Sequence, residues 1–225
     1  MNCPSSLSTR PSRDTLTSMS KLYIVRHGRT TWNDEGRVQG HVETPLSQAG
    51  LDDLRRLHAR LGNIPFVAAY SSDLRRAVET ARAILPGSVP LYADPALREV
   101  AYGDWEGKKV HEIQEGYPSL QARMMSAGLF FAFPGGESTA DLVRRVAPLA
   151  RAIADAHRDT DDNVLIVAHA GSLRALTLAV LDMPADYFWR FRLSPASVTL
   201  ITLYSQGGVL DVWNDTSHLG PSRAE

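Results

Sequence analysis

The stretch Asn163-Val164-Leu165-Ile166-Val167-Ala168 constrains this chain most: after the asparagine come five apolar residues without alternation. A strand with one wet face alternates polar and apolar side chains, whereas an unbroken apolar run is covered on both faces, as in a parallel sheet. Lys21-Leu22-Tyr23-Ile24-Val25 and Phe66-Val67-Ala68-Ala69-Tyr70 have a similar character. Helical spacing lies between these runs. Ser47 is an N-cap for a helix carrying Leu54, Leu57 and Leu61 and stopped by Gly62; another helix spans 74–85 after Ser71-Ser72-Asp73 and is closed by Pro86-Gly87. A long amphipathic helix starts at Ser138 with Leu142, Val146, Leu149 and Ile153, and another spans 172–181. A short strand is expected at 89–92, short helices at 108–115 and 118–127, a polar loop over 29–46, and a closing hairpin of 197–203 with 209–213 across Gly207-Gly208. Strands alternating with helices predict an α/β three-layer sandwich: a mostly parallel central sheet, an antiparallel edge and helices on both faces. No internal repeat is present.

Residues 1–20 are rich in Ser, Thr and Pro, lack an apolar core and read as a disordered tail ahead of one domain over 21–225. Their arginines and scarcity of acids also fit an organelle transit segment, and Met19 is a candidate start. With 44% hydrophobic and 22% charged residues and a net charge of −1, the composition gives no sign of nucleic-acid or membrane binding. The single cysteine, Cys3, rules out an intrachain disulfide and suits a reducing cytoplasm.

Arg26-His27-Gly28 ends the first strand, Arg75-Arg76 opens the helix after the second, and His169-Ala170-Gly171 ends the run at 163–168. Alone, any of these would be an ordinary solvated loop. Parallel strands deliver their carboxyl ends to one side of the sheet, where guanidiniums, imidazoles and helix N-termini make a site for a dianionic phosphoryl group.

Six stretches in order carry a resemblance: Val25-Arg26-His27-Gly28-Arg29-Thr30-Thr31-Trp32-Asn33; Thr44-Pro45-Leu46-Ser47-Gln48-Ala49-Gly50; Ser72-Asp73-Leu74-Arg75-Arg76-Ala77-Val78-Glu79-Thr80-Ala81; Leu97-Arg98-Glu99-Val100-Ala101-Tyr102-Gly103-Asp104-Trp105-Glu106-Gly107; Pro134-Gly135-Gly136-Glu137-Ser138; and Ala168-His169-Ala170-Gly171-Ser172-Leu173-Arg174. Together they resemble the histidine phosphatase superfamily, with its phosphoglycerate mutase-like fold. The resemblance implies that His27 is the nucleophile that becomes a phosphohistidine and that Glu99 is the proton donor. His169 helps to hold the phosphoryl group. Arg26, Arg76, Asn33 and the Gly171 backbone N–H are implied phosphate ligands; Arg76 matches rather than Arg75 because the family's arginine directly precedes the alanine. No metal and no cofactor are implied.

The chemistry is consistent with those residue types. The attacking imidazole must be unprotonated, which flanking arginines favour; fixed donors stabilise charge on the phosphoryl oxygens; and a carboxylic acid can protonate the leaving alkoxide, then activate water. Glu106, Glu112 and Glu137 compete with Glu99 as acids, but only Glu99 fits the Arg-Glu element. The short spacing from Glu99 to Pro134-Gly135-Gly136 resembles the small-phosphatase branch, which implies hydrolysis of a small phosphorylated metabolite; both a monomer and a homodimer built on the exposed hairpin or lid fit the sequence. The alternative is a cofactor-dependent phosphoglycerate mutase, an isomerase. Ala170 departs from the family's His-Gly-Gly. His41 reads as either a mouth residue or a loop histidine; His58, His111 and His157 read as surface, and His218 has no assigned role. The aromatics of 108–134 form either a lid over the pocket or part of the core.

Overall fold

The computed structural model describes residues 19–116 and 119–220. The expected tail, with Cys3, lies almost wholly outside the described residues, as does Tyr117 of the expected lid. Six strands form one sheet: β1 (Ser20–Arg26), β2 (Phe66–Ser71), β3 (Leu91–Ala93), β4 (Asn163–Ala168), β5 (Val198–Tyr204) and β6 (Gly207–Asp215), in the order β3-β2-β4-β1-β5-β6. The first four in that order are parallel; β5 is antiparallel to β1, and β6 to β5.

The unbroken apolar run of β4 is explained by its position. Val164, Ile166 and Ala168 face one core with α6 (Thr139–His157) and α7 (Ala170–Val180), while Leu165 and Val167 face a second core with α2 (Gln48–Leu61) and α3 (Arg75–Ile84). All five are fully buried, each of the larger ones contributing about 1.5–3 kcal/mol of hydrophobic free energy. This is the expected three-layer α/β sandwich. Caps fall where the sequence places them: Ser47 Oγ accepts from Gly50 N–H, and Ser138 and Asp141 form a reciprocal capping box on α6.

Several local details differ from expectation, among them the short strand expected at 89–92, which is β3 at Leu91–Ala93. The loop over 29–46 contains a one-turn helix, α1 (Thr31–Asp34), because Thr30 and Asn33 cap each other. Helix α7 starts at Ala170, two residues early, with His169 as its N-cap. The hairpin turns before Gly207, which pairs with Tyr204, while Gly208 pairs with Leu203 inside the strand. A Cβ on Gly208 would approach Ile201, Leu181 and Val180 at 3.1–3.3 Å, so that glycine serves close packing instead of the turn. In the region expected to be lid or core, α4 (Val110–Gly116) and α5 (Leu120–Ala127) precede a buried pair, Phe131 and Phe133, whereas Phe130 and Met125 are exposed.

The helices after β1 and β4 pack on opposite faces of the sheet. A crevice therefore opens between the carboxyl ends of these neighbouring strands, where open α/β sheets hold ligands.

Candidate active site

Arg26 and Ala168 are register partners at the ends of β1 and β4, so the next residue on each strand, His27 and His169, emerges at the same place. The His27 N–H donates to the Ala168 carbonyl at 2.9 Å, and the two imidazoles stand 4.9 Å apart, centroid to centroid, inclined at 58°. His27 is 3% exposed and His169 fully buried. Nδ1 of His27 lies 2.8 Å from the Gly28 carbonyl oxygen. A carbonyl only accepts, so Nδ1 carries the proton and Nε2 keeps its lone pair. Burial, then the charges of Arg76 and Arg26, hold the His27 pKa well below the ordinary imidazole value. Burial and Arg76 do the same to His169, aided by His27, Arg26 and His41. Nε2 of His169 has no hydrogen-bond partner among the described residues.

The first turn of α3 carries Arg76, which is almost fully buried. Thr80 ties that helix to the His27 loop: its hydroxyl donates to Arg76 O at 2.7 Å and accepts from Gly28 N–H at 3.0 Å. The Arg76 guanidinium donates to the carbonyls of Val42 (3.1 Å) and Gly40 (2.6 Å), and Nε finds no partner among the described residues. Burial brings its pKa down to about 10 against the opposing pull of Glu99, Glu43 and Glu106, so it is still a cation at neutral pH. Arg26 Nη1 donates to Leu193 O at 2.5 Å.

Glu99, 7% exposed, sits in an irregular segment after the 3₁₀ turn Pro95–Leu97. Its carboxylate accepts from the N–H of Val100 at 2.9 Å and from the Gly171 N–H at 3.0 and 3.1 Å. The Gly171 N–H, expected to meet phosphate, thus meets the carboxylate here. A Cβ on Gly171 would stand 2.2 Å from Glu99 Oε1, so this close approach requires glycine. Ala170 is the first residue of a regular helix, so the departure from His-Gly-Gly leaves the backbone undisturbed. Asn33 Oδ1 accepts from the N–H and hydroxyl of Thr30, which leaves the amide NH₂ for a ligand.

Arg26, His27, Asn33, Glu99 and Ala170 line a cavity of about 690 Å³; Arg76, His169 and Gly171 are not in its lining. Its other walls include Trp105, Ile113, Leu120, Met124 and Phe133. Phe133 therefore belongs both to the core and to the pocket. Among the described residues no cluster of three His, Cys, Asp or Glu side chains is placed to hold a metal, and no helix is long and apolar enough to cross a membrane.

Several supporting residues escape a reading of the sequence. Arg145 of α6 pairs with Glu137 at 2.6 Å and donates to the carbonyls of Ala96 (2.8 Å) and Glu99 (2.7 Å), while Glu137 accepts from Ala101 N–H. His41 Nε2 donates to the same Glu99 carbonyl at 2.8 Å, which makes it a support of the Glu99 backbone. Glu106 accepts from the N–H groups of His41 and Val42, bracing the loop that holds Arg76. Glu106 and Glu137 lie in the quoted stretches, where they read as competing acids; Arg145, alone on a helix, carried no signal. His157, expected at the surface, is buried because Tyr70 and Asp162 engage both ring nitrogens. His218 reaches the Ala196 carbonyl at 3.1 Å, and the Ala196 N–H in turn donates to the carbonyls of Arg26 and His27.

The histidine phosphatase superfamily (branch 1) matches residues 22–216. The chain is 35% identical over 199 residues to an adenosylcobalamin/alpha-ribazole phosphatase of Salmonella typhimurium, covering 86% of this chain and 96% of that protein. It is 34% identical to a metal-independent phosphoserine phosphatase of Arabidopsis thaliana, with 89% and 84% covered. The solved structure of Bacillus stearothermophilus YhfR superposes with a TM-score of 0.79 at 36% identity, covering 89% of this chain and all of that one. Sequence, fold and the paired histidines agree: this chain belongs to branch 1 of the histidine phosphatase superfamily.

Proposed function

We propose that residues 21–225 act as one domain that hydrolyses small phosphomonoesters through a phosphohistidine, without a metal, in the cytoplasm. The observation that carries this reading is His27 itself: a buried, neutral imidazole whose Nδ1 is committed to the Gly28 carbonyl and whose Nε2 is free beside two guanidiniums. Relatives named as phosphatases of small phosphorylated metabolites support it.

In the first step His27 Nε2 forms a bond to phosphorus as the ester P–O bond breaks. The departing alkoxide takes a proton from the Glu99 carboxyl. Arg26, Arg76, the Asn33 amide and His169 stabilise the charge on the transferring group. In the second step the Glu99 carboxylate takes a proton from water, which attacks phosphorus and releases His27. The Gly171 N–H keeps the Glu99 side chain in place through both steps, as the protonated acid in the first and as the carboxylate in the second.

Brief incubation with a ³²P-labelled phosphomonoester followed by denaturation is expected to leave acid-labile label on the wild-type protein. A folded His27→Ala variant is expected to carry none, with turnover down on the order of 10⁴-fold or more. Label or turnover persisting in that variant would sink the mechanism. Supplying 3-phosphoglycerate and following free phosphate against 2-phosphoglycerate separates hydrolysis from the mutase reaction; hydrolysis predicts phosphate release.

A further inference from the structure

We infer that the site selects a substrate whose organic half is apolar and uncharged, and discriminates against carboxylated phosphoesters; this rests on the hydrolase reading above. The cavity has two unlike sides. The reacting groups occupy one. The other is built from Val38, Trp105, Ile113, Leu120, Met124 and Phe133, contributed by the loop after α1, by α4 and α5, and by the segments flanking them. Trp105, Ile113, Leu120 and Phe133 are each at least nine-tenths buried while still lining the cavity. Phe133 meets Trp105 edge-on at 5.0 Å and Phe131 at 5.4 Å, so the wall is a packed layer before any ligand arrives.

Two polar side chains along that wall, Arg37 and Gln39, are committed within the protein, and the other two, Tyr102 and Gln114, carry no charge at neutral pH. Arg37 donates to Glu35 at 2.5 Å and to the Gly107 carbonyl at 2.7 Å. The Gln39 amide donates its NH₂ to Thr44, and its oxygen shares the Thr30 hydroxyl proton with Asn33 Oδ1. Apart from Arg37, the one cationic side chain lining the cavity among the described residues is Arg26, at the phosphoryl end. A carboxylate on the leaving group would thus lose its water without gaining a dedicated cation, and a polyhydroxylated group would leave most of its hydroxyls facing hydrocarbon. An aryl or branched alkyl group would displace water from apolar surface and meet no unpaired charge.

The test compares esters whose leaving groups are all alkoxides, so that bond chemistry is matched: 2-phenylethyl phosphate, O-phosphoserine and 3-phosphoglycerate, assayed without added metal. The expected result is kcat/KM at least about tenfold higher for the phenylethyl ester, and a loss of about tenfold for that ester alone in Ile113→Ala, the scale of one truncated apolar contact. A Met124→Arg variant, adding a cation to the wall, is expected to reverse the preference. Equal or higher kcat/KM for the carboxylated esters in the wild-type protein would overturn the inference while leaving the hydrolase reading intact. Absence of turnover and of labelled protein with all three esters would overturn both.

Discussion

At the scale of single residues, the decisive quantity is the charge on His27. In the proposed mechanism only the unprotonated ring can attack phosphorus, and burial with Arg76 and Arg26 pushes its pKa down, so that form persists as the solution becomes more acidic. The acid limb of kcat/KM assigned to this ring is therefore expected below the ordinary imidazole value of about 6.5. A pH profile whose acid limb lies at or above that value would contradict the assignment. Single residues also show where a sequence is legible. His27, Asn33, Arg76, Glu99 and His169 each sit in a stretch whose residue order is distinctive. What the stretch around His169 did not disclose was the partner of the Gly171 N–H, because Glu99 is 72 residues away in the chain.

At the scale of elements, Glu99, the proposed acid, is held by a segment without regular structure, and α6 supplies the grip. Arg145 binds the carbonyl of Ala96, within the 3₁₀ turn, and that of Glu99 just after it, while Glu137 accepts from the Ala101 N–H. Arg145→Ala is expected to let that segment drift. The predicted consequence is selective: a drop in kcat on the order of 10²-fold for alkyl phosphates, which need the proton, and a much smaller one for 2,4-dinitrophenyl phosphate, whose leaving group does not. An equal loss for both would mean that Arg145 serves stability alone. The strands and long helices were legible because periodicity and caps are local. The start of α7 and the turn of the hairpin were not, since His169 caps its helix from a strand end and Gly208 is fixed by packing against Val180, Leu181 and Ile201.

At the scale of the whole molecule, the site sets a pH dependence of stability. The folded protein holds His27 and His169 with lowered pKa values, whereas the unfolded chain lets both titrate near 6.5. Below that pH the unfolded state takes up protons that the folded state refuses. Stability is thus fully present above about pH 6.5 and falls as pH drops below it, by at most about 1.4 kcal/mol per pH unit for each ring. Urea unfolding between pH 7 and pH 5 checks this, and His169→Asn is expected to flatten the slope; an unchanged midpoint across that range would refute it. The sequence by itself determined the order of strands and helices, the covered sheet, and which strand ends carry imidazole and guanidinium, because each of these is written in spacing along a few neighbouring residues. Only the tertiary structure decided that Glu99 rests on the Gly171 N–H, that Arg145 and His41 share its carbonyl, and that half of the cavity is hydrocarbon. These are meetings between distant parts of the chain, fixed by how two cores pack against one sheet, and local pattern holds no record of them.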